Sequence, residues 1–183
     1  HAQQKIIPIQ ISLYNESTAI PFTRLVTTPI HPGIQIGTEF TYKESEHFRL
    51  FQTVNLSYYF HAQLNHGISV NTELGGEYLT NSRFSFGALI GVGYLHTFAT
   101  TKEYVFEDGH YTIATDKGNA RIAPSLSLDV NYRINKIEPT SPKIFVRYQS
   151  WIEYPYSPGF IPLMSHINLH IGAKFNLPLN TGK

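Results

Sequence analysis

Serine and histidine are the residues of this sequence that could form a nucleophile with its general base. A serine nucleophile needs such a base within hydrogen-bonding distance. The two residue types stand two positions apart once, at Ser45 and His47, in a segment that predicts a turn. His96 and Ser150 face the same way, but another predicted strand lies between theirs. The spacing therefore predicts no catalytic site, and a non-enzymatic protein is the favoured interpretation.

Histidines could also bind a metal ion, and six of them are candidates by position. His166 and His170 share one face of a predicted strand, but four residues along a strand span roughly 13 Å, which is too far for chelation. No histidine spacing matches a known metal site. The sequence therefore predicts no metal site and no cofactor. The candidates are His61, His66, His96, His110, His166 and His170.

Charged side chains recur on one face of successive predicted strands. If that face lines a narrow barrel, opposite charges can pair inside it, because about eight strands leave a lumen that side chains just fill. Gly87, Gly91 and Gly93 would make room for long side chains. We predict a plugged barrel and not an open pore. The expected lumen charge network is Glu39, Arg49, Glu73, Glu77, Arg121, Asp129, Arg133, Arg147, Glu153 and Lys174.

Aromatic residues are concentrated in the predicted outer connections. Exposed aromatic side chains are common anchors of protein interfaces. They could instead form the outer interfacial girdle or pack within their own loops. The candidate partner-binding residues are Tyr104, Phe106, His110, Tyr111, Tyr156 and Phe160.

Composition narrows the class of protein. The chain has 183 residues, and one domain, 1–183, is the simplest expectation. Charged residues make up 15% and the formal net charge is +1, without the basic stripe of a nucleic-acid binder. Cysteine is absent, which excludes disulfides and thiolate metal sites. No apolar run reaches the about 18 residues of a transmembrane helix, so a membrane interpretation must rest on strands.

Period-two alternation of apolar and polar residues is the dominant pattern of the sequence. It predicts seven β-strands and no strong amphipathic helix. An eighth strand is expected around residues 18–28, which leaves residues 1–17 as an N-terminal extension. The seven clear strands are 33–42, 48–61, 68–78, 84–94, 121–133, 143–154 and 166–177.

The longest connection, 98–120, is predicted to be an extracellular loop, because long loops of bacterial barrels lie outside. Residues 103–114 alternate weakly around Asp108 and Gly109, a hairpin turn signal, so we expect a projecting β-hairpin.

Aromatic residues at the strand ends distinguish a membrane barrel from a soluble one. A soluble sheet has no reason to order aromatics by depth, whereas membrane barrels carry interfacial girdles. The fold class is therefore expected to be all-β, a closed antiparallel up-and-down transmembrane barrel of about eight strands. The proposed girdle residues are Tyr42, Phe48, Phe60, Tyr78, Phe84, Tyr94, Tyr132, Tyr154 and Phe175.

In size and strand number the chain resembles the small outer-membrane barrels related to the OmpA transmembrane domain, OmpX and the lipid A deacylase PagL. The segments HPGIQIGTEF, GVGYLHTF and LHIGAKFNL resemble such barrels from Bacteroidetes-like bacteria. This resemblance implies a Gram-negative outer-membrane protein, exported by a signal peptide. Deacylases of this kind place a histidine and a serine two apart on a lipid-facing strand, and the chain has no His-x-Ser.

The leading hypothesis is a structural or accessory outer-membrane barrel that binds a partner protein or ligand through its outer loops or its wall. The expected partners are outer-membrane lipid, lipopolysaccharide and a larger outer-membrane complex, not nucleic acid. Two alternatives stay open: a lipid A-modifying deacylase or acyltransferase, and a soluble lipocalin-like carrier. The carrier would turn the charged face outward and leave the aromatic girdles unexplained.

Overall fold

The computed structural model describes residues 5–102, 104–107, 109–113, 115–135, 138, 140–157 and 159–179. Among these residues there is no helix long and apolar enough to cross a membrane. The described strands are β1 Lys5–Thr18, β2 His31–Glu44, β3 Phe48–Phe60, β4 Asn65–Leu79, β5 Phe84–Ala99, β6 Tyr104–Glu107, β7 His110–Ile113, β8 Asn119–Arg133, β9 Lys143–Glu153 and β10 Met164–Leu179.

Eight of these strands form a closed antiparallel barrel in the order β1-β10-β9-β8-β5-β4-β3-β2. The ring closes where β1 pairs with β10, from Lys5 opposite Leu179 to Thr18 opposite His166. Closure pairs the backbone amides that an open edge would leave unsatisfied in hydrocarbon. The predicted fold class and its seven clear strands are confirmed.

The position of the first strand differs from the prediction. The expected strand at 18–28, and with it the N-terminal extension 1–17, is wrong, because the first strand is Lys5–Thr18. Its residues alternate, with Gln10 and Ser12 buried in the lumen and Ile11 and Leu13 exposed on the wall. Pro21 lacks the N–H that an interior strand position donates, which is one reason why the ladder does not continue.

The barrel is polar inside and apolar outside. Buried Glu73, Arg147 and Asp129 point into the lumen, whereas Ile34, Leu74 and Val92 are among the large apolar side chains that the wall exposes. Of the nine predicted girdle residues, Tyr132 and Phe175 are half-buried and the other seven are exposed on the wall. An apolar outer wall around a charged lumen is the arrangement of a transmembrane barrel.

The two ends of the barrel have different connections. At one end, the short-turn end, residues 45–47, 80–83 and 134–142 join neighbouring strands. At the other, the long-loop end, the connections are 19–30, 61–64, 100–118 and 154–163. The predicted loop 98–120 is thus shorter at both ends than expected, because β5 extends to Ala99 and β8 begins at Asn119.

Residues 19–30, which we call the strap, fold back over the outside of the barrel. The backbone N–H of Phe22 donates to the Tyr148 hydroxyl at 2.8 Å, and the Ser165 hydroxyl donates to the Ala19 carbonyl at 3.1 Å. Ile167 points outward, yet it is only 1% exposed. The strap therefore binds the hydroxyl groups of Tyr148 and Ser165, which the wall would otherwise turn toward lipid.

Candidate functional site

The lumen of the short-turn half holds a continuous set of ion pairs, which we call the guanidinium cluster. Two arginines and two lysines alternate there with four carboxylates from three strands. Lys174 links the two arginine centres, because its Nζ lies 3.6 Å from both Glu39 and Asp129. The cluster comprises Glu39, Arg49, Glu73, Glu77, Asp129, Lys143, Arg147 and Lys174.

Arg147, like Glu73 and Glu77 of this cluster, has no exposed surface. Its Nε and Nη2 donate to the two oxygens of Asp129 at 2.6 and 2.8 Å, and its Nη1 donates to Glu73 at 3.0 Å. Glu73 also accepts from the Ser127 hydroxyl at 2.6 Å. A Cβ added at Gly91 would lie 2.5 Å from Glu73, so this glycine makes the predicted room. The fork geometry and the saturated carboxylates give a structural plug.

Arg133 belongs to the same predicted network but lies at its margin. It is half-buried at the short-turn end, where it lines a cavity of about 220 Å³ together with Lys143 and Glu44. The structure thus buries nine of the ten predicted lumen residues and leaves Arg133 at the mouth.

The long-loop half of the lumen carries histidines in place of lysines. Arg121 Nε lies 2.7 Å from Glu153, and His166 lies between Glu153 and Glu16, at 3.1 and 2.7 Å from a carboxylate oxygen of each. The ring of Trp151 stacks on His166 with centroids 4.0 Å apart. Trp151 packs with Tyr14, Tyr59 and Leu95 in the buried apolar layer beneath.

Two further histidines meet Glu16 at the mouth of this half. The rings of His31 and His61 stack with centroids 3.5 Å apart, and the donor atoms of Glu16, His31 and His61 lie within 4.8 Å of one another. Burial, and next to it the neighbouring His31, lower the pKa of His61. We call Glu16, His31, His61, Glu153 and His166 the imidazole cluster.

The sequence alone does not connect these residues. His61 and His166 are among the metal candidates predicted from it, but Glu16 falls in the expected N-terminal extension and His31 is not a candidate. The spacing along single strands predicted no metal site, whereas the structure assembles three donors from three strands or strand ends. A correct position for the first strand would have placed Glu16 on the lumen face.

Neither Ser–His combination of the sequence forms a pair in the structure: the Ser45 hydroxyl donates to the Phe48 carbonyl at 3.0 Å, and His47 lies 4.0 Å from Glu46. His96 contacts Tyr94 and the Lys117 carbonyl on the outer wall, far from Ser150 on β9. A serine and a histidine do meet elsewhere, where Ser12 Oγ lies 3.0 Å from His170 Nδ1. That pair is buried in the lumen, and His170 Nε2 has no hydrogen-bond partner among the described residues. Without an acid on that nitrogen, the pair lacks the third group of a triad.

The predicted outer hairpin is present as β6 and β7. Cross-strand pairing puts Tyr104 opposite Ile113 and Phe106 opposite Tyr111, so the four side chains share one face. They are 60, 56, 61 and 72% exposed, respectively. We call this the hairpin apolar face; it is not packed against the described part of the barrel. Glu103, Asp108 and Ala114 of the predicted hairpin lie outside the described residues.

The base of the hairpin is held in place by hydrogen bonds. Asp116 accepts the backbone N–H groups of Ala99 and Gly118 at 2.6 and 2.7 Å, which lowers the pKa of its carboxyl group. Thr100 donates its hydroxyl to the His61 carbonyl at 2.9 Å. The hairpin therefore projects from a fixed base.

The other predicted loop residues lie apart from the hairpin apolar face. His110 is exposed on the strand position next to Tyr111, and so on the opposite face. Tyr156 is half-buried with its ring 5.5 Å from the Arg121 guanidinium, and Phe160 is 82% exposed in the β9–β10 connection.

Comparison with known proteins gives matches in structure but not in sequence. No protein-family model and no curated protein matches the chain. Neisserial surface protein A is similar with a TM-score of 0.56 at 10% identity, over 93% of this chain and 95% of that one. Ail of Yersinia pestis gives 0.53 at 10% identity, over 96% and 100%.

The outer-membrane enzyme PagL is also similar, with a TM-score of 0.52 at 9% identity over 94% of this chain and 99% of that one. A protein named as an enzyme and proteins that are not named as enzymes thus share this architecture. The likeness therefore shows the fold alone. With its apolar wall, charged lumen and eight antiparallel strands, the chain has the fold of the small bacterial outer-membrane β-barrels.

Proposed function

We propose that this protein is a non-enzymatic barrel of the bacterial outer membrane that binds a partner protein through the hairpin apolar face. The long-loop end then faces the cell exterior, and the wall contacts outer-membrane lipid and lipopolysaccharide. The observation that carries the proposal is the exposure of Tyr104, Phe106, Tyr111 and Ile113 together on one projecting face.

A protein surface is the occupant that best fits this face. A two-stranded hairpin alone is marginally stable in water, and each of its strands here has four residues. A partner that covers the apolar face, or adds a strand to an edge of β6 or β7, supplies the missing packing. The exposed aromatic residues are of the type that dominates interface energies.

The rest of the structure favours binding at the surface over transport or catalysis. The guanidinium cluster fills the short-turn half of the lumen with buried ion pairs, which opposes a pore. The described outer wall keeps His96 apart from Ser150, so no observation favours the lipid A-modifying alternative. A Bacteroidetes-like source and the role of accessory subunit stay predictions from the sequence.

Site-specific photo-crosslinking in intact cells tests the proposal. A photo-reactive amino acid replaces Tyr111 on the hairpin apolar face or, as the matched control, its neighbour Thr112 on the opposite face. We expect one discrete protein adduct of reproducible mass from position 111, weaker or absent from position 112. The substitution F106S should remove that adduct, while a heat-dependent gel shift shows that the barrel still folds.

Two outcomes would contradict the proposal. Adducts with lipid or lipopolysaccharide alone would mean that the face lies on the membrane surface. Equal adducts from positions 111 and 112 would mean that the contact is not specific to the apolar face.

A further inference from the structure

We propose that Glu16, His31 and His61 form a binding site for a divalent transition-metal ion of the zinc class at the long-loop mouth of the barrel. Two imidazoles and one carboxylate are a donor set that zinc commonly takes, with water in the fourth position. The proposal is independent of the hairpin apolar face.

Glu16 is held as a metal ligand would be. It is 1% exposed, and His166 occupies its Oε1 at 2.7 Å. Its other oxygen, Oε2, is buried and accepts no hydrogen bond from the described residues, and its nearest basic neighbour is His31 Nδ1 at 3.7 Å. A buried carboxylate oxygen without a partner is unfavourable, and a bound cation would satisfy it. Glu153 holds His166 from the far side at 3.1 Å, so the orientation of Glu16 is itself supported.

Many metal-binding histidines are oriented by a hydrogen bond from the ring nitrogen that does not bind the metal, and His31 makes such a contact. Its Nδ1 lies 3.1 Å from the backbone carbonyl oxygen of Glu16, which can only accept. The neutral ring therefore carries its proton on Nδ1 and its lone pair on Nε2. Donation of the second ring nitrogen to a carbonyl is the usual support of a histidine ligand.

His61 supplies the third donor from a position that can adjust. It follows the last residue of β3 and is half-buried, and its ring stacks on that of His31. Ligand atoms around a tetrahedral zinc lie about 3.3 Å apart, given metal–ligand bonds of about 2 Å. One donor atom of each residue lies within 4.8 Å of the others, and the His31 nitrogen nearest to Glu16 Oε2 is Nδ1, so the His31 and His61 side chains must rotate at the mouth to bring Nε2 of His31 to the ion.

The site is accessible and has its own spectroscopic reporter. The three residues line a cavity of about 270 Å³ at the long-loop end, which also contacts Tyr156 and Met164. Trp151, the single tryptophan of the chain, stacks on His166, which in turn contacts Glu16. A paramagnetic ion bound to Glu16 would therefore lie near the fluorophore.

The test is a titration of the full-length barrel in detergent with Cu²⁺ as the quencher of Trp151 and Zn²⁺ as the competitor. We expect saturable quenching by one equivalent, reversed by Zn²⁺ and by a chelator. The variants H61A and H31A should each weaken Zn²⁺ binding by at least about tenfold, the lower end of what even outer-shell changes produce. The control H47A removes a half-exposed histidine beside Glu46 at the short-turn end and should bind as the unmodified protein does.

The result that overturns the proposal is the absence of saturable quenching, or binding by H61A and H31A that equals that of the unmodified protein. Equal loss in H47A would also overturn it, because the ion would then bind elsewhere. His61 lies outside the strands, so H61A should retain the heat-dependent gel shift; if it does not, H61N provides the same comparison. Loss of metal binding with intact photo-crosslinking from position 111 would separate this site from the proposed partner site.

Discussion

The guanidinium cluster and the imidazole cluster occupy the two halves of one lumen, yet they differ in the groups that face their carboxylates. In the first, Arg147 meets both oxygens of Asp129 and one of Glu73. In the second, Glu16 retains a buried oxygen without a hydrogen bond, beside two stacked imidazoles and a cavity. The difference teaches that buried charge serves two ends here: interlocked Arg, Lys and carboxylate pairs fill the short-turn half, and a carboxylate beside imidazoles and a cavity forms a candidate site.

The buried apolar layer marks the boundary between the two clusters. On β9, Trp151 lies between Arg147 and Glu153, and it packs with Tyr14, Tyr59 and Leu95. A cavity of about 30 Å³ remains beside this layer, room for about one water molecule. The mouth at the long-loop end can therefore bind a ligand without opening a path through the barrel.

The largest effect is expected from R147M in the guanidinium cluster. The substitution leaves Glu73 and Asp129 buried without their main counter-charge, so the free energy of unfolding should fall by about 3–5 kcal/mol. Urea unfolding in lipid vesicles, followed by Trp151 fluorescence, measures it. R147K, which keeps the charge but loses the fork, is the control and should lose less. A loss below about 1 kcal/mol in R147M would show that the pairs are not the plug that we describe.

A smaller effect is expected from E16Q in the imidazole cluster. His166 keeps its contact with Glu153, so we expect the free energy of unfolding to fall by about 1–3 kcal/mol, the range for disturbing one buried polar group. The same urea assay applies. A loss as large as that in R147M would mean that the two clusters are equally structural, which removes the distinction drawn above.

The strap provides the next test, outside the lumen. Y148F removes the hydroxyl that accepts the Phe22 N–H, which should lower stability by about 0.5–1.5 kcal/mol. Trypsin cleavage after exposed Arg24 in intact barrels should become faster, because the strap is released locally. The substitution Y58F, on the wall away from the strap, should leave the cleavage rate unchanged. Unchanged cleavage in Y148F would show that this contact does not hold the strap.

The smallest effect is expected at the hairpin base. The pKa of Asp116 is depressed by two backbone N–H groups, so its support is present above the ordinary value near 3.8 and is lost as the pH falls through the lower native pKa. D116N should therefore speed hydrogen exchange of the Ala99 and Gly118 amides at neutral pH, with global unfolding unchanged. The control E46Q, at an exposed carboxylate of the short-turn end, should alter neither amide. Equal exchange rates of the two amides in D116N and the unmodified protein would contradict the two hydrogen bonds assigned to Asp116.

The strand pattern could be predicted because it depends on local alternation. The polar Glu73 and the small Gly75 on either side of Leu74 are enough to predict that Leu74 faces the wall. A shift of the strand by one residue would move every side chain to the opposite face. The first strand is not predicted from the sequence, because Pro8 interrupts its alternating pattern and the apolar residues of the strap resemble a strand. The wrong position of this strand leaves Glu16, and therefore the candidate metal site, outside the predicted lumen.

The sequence by itself determined the fold class, seven of the eight barrel strands and, on those seven, which side chains face the lumen, because period two assigns every strand residue to one of two faces. The tertiary structure alone decided which of those side chains meet. Asp129 meets Arg147 through the β8–β9 register, and Glu73 joins them from β4. Glu16, His31 and His61 converge because β1, β2 and β3 end side by side, where ring closure and register, both nonlocal, bring together residues that no spacing along the chain connects.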